Sequence, residues 1–478
     1  MHHALSVRNP RTGECDYTIH PPSLSELYAL CSQLRSGQKE WQKRGVEHRI
    51  DVLQRWKKSA QRYRSVLEEA LITDTGRKWE TLLEVDLLFA RIDRWCELGK
   101  EFFDKQDTKP SHLPFIEIRQ DVQPYPLVGV ISPWNFPLLL SLIDAIPALV
   151  AGCAVLVKPS EITPRFIKPL MQSVFDVPEL ASVLAYIEGA GETGEAMIQC
   201  VDLVCFTGSV ATGKRVYTAA AQNFIPVFLE LGGKDAALVF EGANLDYASS
   251  AILWGATANA GQSCLSIERI YVQSSIYEDF VKRIVKKAEA LSLCYPDIHH
   301  GHIGPIISER QVSIINDHLR DAIEQGAQVL TGSIQCEQHG GGMWCRPTVL
   351  TCVHHGMKVM TEETFGPILP IMPFNTEDEA LTLANSTIFG LSGAVFASTV
   401  EEAYRIGQKM ECGAISLNDA ALTAIVHEGE KQSLKCSGIG GTRMGVGAMR
   451  RFVRQRAFLA KIHDVPSPWW YNSTVPSM

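Results

Sequence analysis

The sequence predicts an α/β protein in which helices cover both faces of a mainly parallel sheet. Short, wholly apolar runs at residues 127–131, 154–157 and 203–206 alternate with segments of helical spacing. Apolar runs of this length are typical of strands that are buried on both faces, and parallel strands need helical crossovers between them. The chain has 478 residues, which is enough for two or three domains.

The predicted elements follow in a regular order. Residues 23–98 have helical spacing and mixed charge, which predicts two or three amphipathic helices. Partial alternation over residues 115–122 predicts a strand with one face in solvent. The later predicted elements are helices at 164–175 and 194–200, a strand at 183–187, and, in a second α/β unit beyond residue 238, strands at 269–272, 368–373, 414–418 and 456–463.

Residues 137–157 are apolar enough to be mistaken for a membrane span. Only Ser141 and Asp144 interrupt the apolar run, but Pro147 and Gly152 also fall inside it. Its last four residues have the pattern of a strand. We therefore expect a buried helix, a turn and a strand here.

Composition excludes several classes of protein. Apolar residues make up 46% of the chain and charged residues 21%, as in soluble globular proteins. The net charge of −8 argues against a nucleic-acid binder, because phosphate affinity requires clustered Lys and Arg. The 13 cysteines are irregularly spaced, without a CxxC pair or a metal-ligand grouping, which indicates reduced thiols and no metal site. Residues 1–10 lack an apolar signal region, so we expect a cytoplasmic protein without a membrane span.

Cys264 and Glu230 are the candidate catalytic residues. Cys264 ends the motif GQSC, and Glu230 begins the motif ELGGK, whose glycines let the backbone approach other groups closely. A thiolate is a strong nucleophile, and a carboxylate can activate the water that releases an acyl group from it. Most buried cysteines are only small apolar fillers, so the assignment depends on the other motifs.

Two glycine turns favour a dinucleotide site in the first half. Residues 189–194 match GxGxxG between a predicted strand and a predicted helix, although the acidic residue expected about 20 positions later is absent. Residues 206–209, with the sequence FTGS, form a second strand-to-helix turn, where free N–H groups would face a pyrophosphate. Either turn alone is equally typical of a structural bend, but two in one α/β half favour a dinucleotide.

Three further motifs are candidate ligand contacts, and the first two follow predicted strands, where ligands of open sheets bind. The motif KPSE at residues 158–161 could grip the two sides of an adenosine ribose, or form a solvated charged turn. The motif PWNFP at residues 133–137 supplies an amide donor for an oxyanion, or ordinary turn chemistry. The motif EETFGP at residues 362–367 could hold a ribose and a nicotinamide ring, or form an exposed loop.

Together these motifs resemble the NAD(P)-dependent aldehyde dehydrogenase superfamily over nearly the whole chain. They occur in the family's order, from PWNFP through KPSE, FTGS, ELGGK and GQSC to EETFGP. The resemblance implies a homodimer or homotetramer. It also implies a Rossmann-like cofactor domain at residues 1–105 and 125–235, an α/β catalytic domain at 236–435, and a small β oligomerisation hairpin at 106–124 and 450–478.

The resemblance also implies a role for each matched residue. Cys264 would be the nucleophile and Glu230 the general base, with Asn135 and the Cys264 N–H as the oxyanion hole and Lys158 as a further catalytic candidate. NAD is the expected hydride acceptor, and NADP is the other cofactor that the resemblance allows. The implied cofactor contacts are Ile131, Pro133, Trp134, Asn135, Lys158, Ser160, Glu161, Gly191, Phe206, Thr207, Gly208, Ser209, Leu231, Gly232, Gln311, Glu363 and Phe365.

The expected substrate is a small-molecule aldehyde with an apolar aliphatic or aromatic chain. If a helix follows Pro137, the apolar side chains before and within it fall on one face, as ordinary core or as a tunnel wall. No Lys, Arg or His occurs in residues 133–157, and an unpaired carboxylate in an apolar tunnel is costly. The expected substrate contacts are Phe136, Leu139, Leu140, Ile143, Ser263 and Leu265.

Residues 419–435 depart from the family's pattern, in which this loop borders the substrate mouth. Here the loop carries His427, Lys431 and Lys435, each of which could bind an anion. A semialdehyde dehydrogenase therefore remains the alternative. A CoA-acylating enzyme and a non-catalytic cofactor-binding protein are disfavoured, because Glu230 is present together with the other catalytic candidates.

Overall fold

The computed structural model describes residues 4–104, 108–463, 467 and 469. The helices are α1 (Leu24–Lys43), α2 (Gly45–Arg62), α3 (Arg64–Thr75), α4 (Trp79–Phe103), α5 (Pro137–Leu142), α6 (Ala145–Ala151), α7 (Ile167–Phe175), α8 (Pro178–Ala181), α9 (Gly191–Ile198), α10 (Val210–Gln222), α11 (Leu245–Thr257), α12 (Tyr277–Glu289), α13 (Glu309–Glu324), α14 (Lys358–Thr361), α15 (Glu377–Asn385) and α16 (Val400–Gly407). Short 3-10 turns lie at Ala258–Gly261, Ser274–Ile276, Leu422–Ala424 and Val446–Phe452.

The strands form two large sheets and several small ones. They are β1 (Leu5–Arg8), β2 (Cys15–Ile19), β3 (Thr108–Pro110), β4 (Ile116–Pro124), β5 (Leu127–Ile131), β6 (Ala154–Lys158), β7 (Leu184–Tyr186), β8 (Leu203–Thr207), β9 (Val227–Glu230), β10 (Asp235–Val239), β11 (Ile267–Gln273), β12 (Gln328–Thr331), β13 (Glu337–His339), β14 (Gly342–Trp344), β15 (Thr348–Thr351), β16 (Ile368–Phe374), β17 (Phe389–Gly390), β18 (Ser392–Phe396), β19 (Ala414–Leu417), β20 (Leu434–Lys435), β21 (Gly438–Ile439) and β22 (Val453–Lys461).

The first large sheet has the strand order β21-β9-β8-β5-β6-β7. Strands β5 to β9 pair in parallel, and the short strand β21 pairs with β9 in the antiparallel direction. Strands β5, β6 and β8 are buried along their whole length. This confirms the parallel sheet that their apolar runs predict.

The second large sheet has the strand order β12-β15-β16-β11-β10-β18-β19. All its pairings are parallel except that of the edge strand β12. Ala236 and Leu238 of β10 pack into one apolar cluster, whereas Ala237 and Val239 pack into another. Since alternate residues of a strand point to opposite faces, this sheet is buried on both sides.

A third, antiparallel sheet contains β22, β4 and β3 in that order. The pairing of β4 with β22 runs from Pro124 opposite Val453 to Ile116 opposite Lys461. The last strand thus begins and ends earlier than the predicted 456–463. The division into domains given above stays a prediction, and residues 1–3, 105–107, 464–466, 468 and 470–478 of its segments lie outside the described residues.

The predicted number of two or three helices over residues 23–98 was wrong. Three helices, α1 to α3, lie within this segment, and a fourth, α4, begins in it. Two of the three breaks fall at Gly45 and Gly76, whose φ angles are 79° and 69°. Glycine adopts this left-handed conformation without steric cost, so both breaks had a signal in the sequence. The third break, at Tyr63, has no such signal in the sequence.

The prediction for residues 137–157 is confirmed. Helices α5 and α6 are followed by Gly152, with a φ angle of 105°, and then by strand β6. Across residues 4–104 and 108–463, no helix is both long enough and apolar enough to cross a membrane.

Candidate active site

A cavity of about 1020 Å³ has Cys264, Glu230 and Asn135 in its wall. Each of these residues comes from a different element. Glu230 ends strand β9, Asn135 lies just before helix α5, and Cys264 lies in the loop that leads to β11. The fold therefore brings together the three catalytic candidates predicted from separate motifs.

The loop that carries Cys264 has a fixed backbone. Gly261 has a φ angle of 71°, and a Cβ atom there would lie 2.3 Å from the Gly366 backbone, so only glycine fits. The buried Gln262 side chain donates from Nε2 to the Asn259 carbonyl (2.9 Å) and accepts from the Ile307 N–H (2.8 Å). The GQSC motif thus positions Cys264 with its glycine and its glutamine.

The Asn135 side chain points towards this loop. Its Nδ2 donates to the carbonyl of Gln262 at 3.0 Å, two residues before the nucleophile. Its backbone carbonyl accepts hydrogen bonds from Arg77 Nη2 (2.9 Å) and Asn259 Nδ2 (3.0 Å). A neutral amide donor is therefore held beside Cys264, where it suits an oxyanion.

Behind Asn135 lies a buried ion pair that the sequence did not reveal. Glu84 Oε2 pairs with Arg77 Nη2 at 3.1 Å, and Glu84 Oε1 accepts from the Leu139 N–H at 2.9 Å. Both charged side chains are at most 2% exposed. Glu84 therefore links helix α4 to the first turn of α5 and, through Arg77, to Asn135.

Glu230 is held by residues of the unusual loop. Ser433 Oγ donates to Glu230 Oε2 at 2.8 Å, and Lys431 Nζ lies 4.0 Å from the same oxygen. Burial raises the pKa of the Cys264 thiol to about 12, and the positive charge of Lys431 opposes this shift. The resting thiol is therefore protonated and needs a base before it can attack.

The motif at residues 362–367 lies next to the ELGGK motif. Glu363 Oε1 accepts from the Gly233 N–H at 3.0 Å, and a Cβ atom on Gly232 would lie 2.5 Å from Glu363 Oε2. Burial raises the pKa of Glu363 to about 8, with Glu268 as a further cause. Phe365 packs edge-on against Trp134 with the ring centroids 5.5 Å apart. The predicted ribose and nicotinamide residues are thus neighbours.

The two predicted dinucleotide turns both lie at the carboxyl ends of strands of the first sheet. Lys158 ends β6, and its buried Nζ donates to the carbonyls of Pro159 (3.0 Å) and Gly189 (2.7 Å). Glu161 Oε2 lies 3.6 Å from the same Nζ. Ser209 caps helix α10 by accepting from the Thr212 N–H, so the free N–H groups of this helix face the same edge.

The other predicted cofactor residues border these groups. Ile131 ends β5, with Pro133 beyond it, and Ser160 follows β6. Gly191 begins α9, Leu231 follows β9, and the FTGS turn spans the end of β8 and the cap of α10. Gln311 Nε2 donates to the Thr364 carbonyl at 2.6 Å, so it braces the segment around Glu363, and its ribose role stays a prediction.

All six predicted substrate residues line the cavity: Phe136, Leu139, Leu140, Ile143, Ser263 and Leu265. Another part of the wall was not predicted from the sequence: α4 contributes Trp79, Leu83 and Leu87, and α11 contributes Trp254. The spacing of four residues along α4 was the available signal.

Of the three cations that the sequence offered as anion contacts, His427 and Lys431 line the cavity, together with Arg91, which was not predicted. Arg91 lines the cavity from α4, and His427 and Lys431 line it from the unusual loop. Residues 133–157, which contain no basic residue, contribute only part of the cavity wall. Lys435 does not lie in this wall, because its Nζ pairs with Glu411 Oε2 at 2.7 Å.

Comparison with known proteins shows one family over almost the whole chain. The model of the aldehyde dehydrogenase family matches residues 2–458. A solved structure of the putative aldehyde dehydrogenase PutA from Anabaena variabilis is 56% identical, has a TM-score of 0.97, and covers 98% of this chain and 100% of its own.

Two further relatives are named for different aldehydes. The 4,4'-diapolycopene aldehyde oxidase of a Methylomonas species is 41% identical over 67% of this chain, and this match spans 59% of that protein. A putative succinate-semialdehyde dehydrogenase (NADP+) 2 of Mycobacterium ulcerans is 31% identical over 97% of this chain and 91% of its own length.

Proposed function

This chain belongs to the NAD(P)-dependent aldehyde dehydrogenase family, and on that premise we propose that it oxidises an apolar aldehyde to its acid, with NAD as the hydride acceptor and a thioester on Cys264. The observation that carries the proposal is that Cys264, Glu230 and Asn135 share one cavity wall. The chemistry follows from the properties of these three groups.

The thiol of Cys264 attacks the aldehyde carbon once its proton has been removed. Asn135 Nδ2, which donates to Gln262 in this structure, and the Cys264 N–H then stabilise the oxyanion. A bound nicotinamide cofactor supplies the hydride acceptor for the tetrahedral carbon. Glu230 takes a proton from the water that hydrolyses the thioester, and the acid leaves.

The residues at the first sheet fit a dinucleotide. Lys158 is a buried cation beside the Glu161 carboxylate, where each can contact a ribose, and the capped N-terminus of α10 can face a pyrophosphate. NAD is favoured over NADP because a 2'-phosphate next to Glu161 meets a like charge. Lys158 offsets part of this repulsion, so a preference rather than an absolute choice is expected.

The substrate is proposed to have an apolar chain. Phe136, Leu139, Leu140 and Ile143 line the cavity together with apolar residues of α4. The second candidate is a short semialdehyde, because Lys431 lies in the wall near Glu230 and could pair with a carboxylate. Glu230 already offsets the charge of Lys431, which favours the apolar substrate.

The test is to follow reduction of NAD by the purified chain with hexanal, benzaldehyde and succinic semialdehyde. We expect the two apolar aldehydes to give the higher kcat/KM. A clear preference for succinic semialdehyde, lost in Lys431→Met, would instead establish the second candidate. The absence of turnover with every aldehyde would refute the proposal.

The chain is further proposed to form a homodimer or homotetramer through segments 106–124 and 450–478. Strand β22, in the second of these segments, exposes Phe458 (50%) and Leu459 (70%). Exposed apolar side chains on a strand favour a subunit contact. Light scattering of the purified chain would give the mass, and a monomer at micromolar concentration would contradict the proposal.

A further inference from the structure

Arg91 is a buried cation in the wall of the substrate cavity. It lies on α4 and is 6% exposed. Its Nη2 contacts His427 Nε2, whereas its Nε has no hydrogen-bond partner. Burial lowers the pKa of Arg91 to about 10, so the guanidinium remains charged at neutral pH.

No carboxylate forms an ion pair with this guanidinium in residues 4–104 and 108–463. Glu428 is the nearest source of negative charge, but its carboxylate is at the surface and accepts from the His427 N–H at 3.0 Å. A buried charge without a partner is strongly unfavourable unless an anion compensates it. The other arginine that lines the cavity differs in this respect, since Arg443 Nη2 pairs with Asp144 Oδ2 at 2.7 Å.

His427 adds a second unpaired donor site beside Arg91. Its Nδ1 is buried without a hydrogen-bond partner, and the residue lines the same cavity. Burial and the positive charge of Arg91 lower the pKa of His427 to about 4, so the ring is neutral. It holds the guanidinium by accepting from Nη2 and does not cancel its charge.

Arg91 lies further along helix α4 than the residues that contact the loop of Cys264. Glu80 Oε1 accepts from the Asn259 N–H at 3.1 Å, and Glu84 reaches the first turn of α5, so the catalytic loop lies level with this part of the helix. Arg91 lies seven residues after Glu84, or about 10 Å further along the axis. Leu87 lines the cavity between them.

We propose that Arg91, oriented by His427, binds a carboxylate at the far end of a long aldehyde, so that ω-oxo acids with an apolar chain are substrates. This inference rests on the proposed oxidation at Cys264. It refines the apolar substrate, because the chain between aldehyde and carboxylate would contact the leucines of α4 and α5. The guanidinium is well suited to this, since it binds a carboxylate through two parallel hydrogen bonds.

The test compares substrates of equal length with and without the carboxylate. For the parent enzyme with NAD we expect kcat/KM for 10-oxodecanoate to exceed that for decanal by about tenfold or more. Arg91→Met should lower kcat/KM for 10-oxodecanoate about ten- to a hundredfold, mainly through KM, and change that for decanal by less than about threefold. Arg91→Lys should retain part of the preference.

Arg94→Met is the matched control, because Arg94 lies one turn later and its side chain is 39% exposed against Glu97. Arg94→Met should leave kcat/KM unchanged for both decanal and 10-oxodecanoate. Equal losses for decanal and 10-oxodecanoate in Arg91→Met would mean a purely structural role and overturn the inference. A parent enzyme that prefers decanal would also overturn it, whether or not the variant folds.

A binding measurement separates this inference from the proposed function. Decanedioate, the product of 10-oxodecanoate, should bind the parent enzyme in calorimetry, and Arg91→Met should weaken this binding about tenfold or more. If no aldehyde is oxidised but decanedioate binds in this way, the proposed function fails and the anion site stands. Equal affinity of the parent enzyme and of Arg91→Met for decanedioate would exclude an anion site at Arg91.

Discussion

Lys431 Nζ lies 4.0 Å from Glu230 Oε2, and both side chains are almost fully buried in the wall that carries Cys264. The lysine comes from the loop that departs from the family's pattern, and Ser433 of the same loop donates to the same carboxylate oxygen. The loop thus contributes to the surroundings of Cys264, and the positive charge of Lys431 lowers the pKa of this thiol whereas the nearby carboxylates raise it.

The first prediction is that Lys431→Met makes Cys264 less reactive. Loss of the positive charge removes a cause that lowers the pKa of the thiol, so this pKa should rise further. Alkylation by iodoacetamide at pH 8 should become about tenfold slower for every pH unit by which the pKa rises, because only the thiolate reacts. Lys431→Arg should restore much of the rate.

Lys435→Met is the control for this variant. Lys435 belongs to the same loop but pairs with Glu411, outside the cavity. Its loss should leave the alkylation rate unchanged. Equal rates in the parent protein and in Lys431→Met would show that the lysine has no electrostatic effect on the thiol.

The second prediction separates the two halves of the reaction. Cys264→Ala should abolish aldehyde oxidation and leave cofactor binding largely intact, because the nucleophile is absent. Glu230→Gln should give one burst of reduced cofactor and then stall at the thioester, because no carboxylate activates the water. Rapid-mixing absorbance measures both phases. Turnover in Cys264→Ala would refute the assignment, and a Glu230→Gln enzyme limited by acylation would exclude the deacylation role alone.

The third prediction concerns the choice of cofactor. Glu161 lies 3.6 Å from Lys158 Nζ with a side chain that is 42% exposed. Its carboxylate should accept hydrogen bonds from ribose hydroxyls and repel a 2'-phosphate, a difference of roughly 1–3 kcal/mol. Glu161→Gln should therefore narrow the ratio of kcat/KM for NAD to that for NADP. A parent enzyme with equal efficiency for both cofactors would contradict this reasoning.

The sequence allowed much of this site to be predicted, because the motifs PWNFP, KPSE, FTGS and ELGGK lie at or after the ends of strands of one parallel sheet, which brings them to one edge. Lys158 and Gly189, for example, come from separate motifs and are joined by a 2.7 Å hydrogen bond. Strand ends are readable from apolar runs and glycine turns. Once parallel pairing is assumed, the convergence of these turns follows.

The parts that could not be predicted depend on long-range contacts. Arg77, in the turn before α4, and Glu84, on α4, look like exposed charges in the sequence, yet both are buried because Glu84 meets the Leu139 N–H and Arg77 meets the Asn135 carbonyl. Arg91 likewise has no local sign of burial, since His427 meets it from far along the chain. Periodicity assigns a residue to a face of its helix, but the neighbour that covers this face is set by tertiary packing.

The fourth prediction is a pH dependence of cofactor binding. Burial raises the pKa of Glu363 to about 8, so this group is mostly neutral at pH 6.5 and mostly charged at pH 9. A carboxylate accepts stronger hydrogen bonds from a ribose than a neutral carboxyl. NAD should therefore bind more tightly as the pH rises through 8, by about three- to tenfold, as measured by quenching of tryptophan fluorescence.

The raised pKa of Glu363 has the opposite effect on stability. The folded pKa lies above the ordinary value of 4.5, so the folded state holds the proton more firmly than the unfolded chain. The contribution of Glu363 to stability is full below pH 4.5 and is lost as the pH rises through 8. Glu363→Gln should flatten the pH dependence of NAD binding, whereas Glu362→Gln, at the exposed neighbour, should preserve it.

The fifth prediction concerns the ion pair that supports Asn135. Glu84→Gln leaves the buried guanidinium of Arg77 without its counter-charge, which costs about 3–5 kcal/mol in comparable buried pairs. The urea concentration at the midpoint of unfolding should therefore fall clearly. Because Arg77 also donates to the Asn135 carbonyl, kcat should fall at temperatures where the variant is still folded.

Asp86→Asn is the control, since Asp86 lies on the same helix and pairs with Arg64 at the surface, where its side chain is 59% exposed. Exposed pairs contribute about 0–1 kcal/mol, so this variant should unfold almost like the parent protein. If Glu84→Gln lowered the stability as little as Asp86→Asn does, water would have to reach Arg77 in solution. If Glu84→Gln has lower stability and lower kcat but unchanged affinity for NAD, then Glu84 positions Asn135 through Arg77.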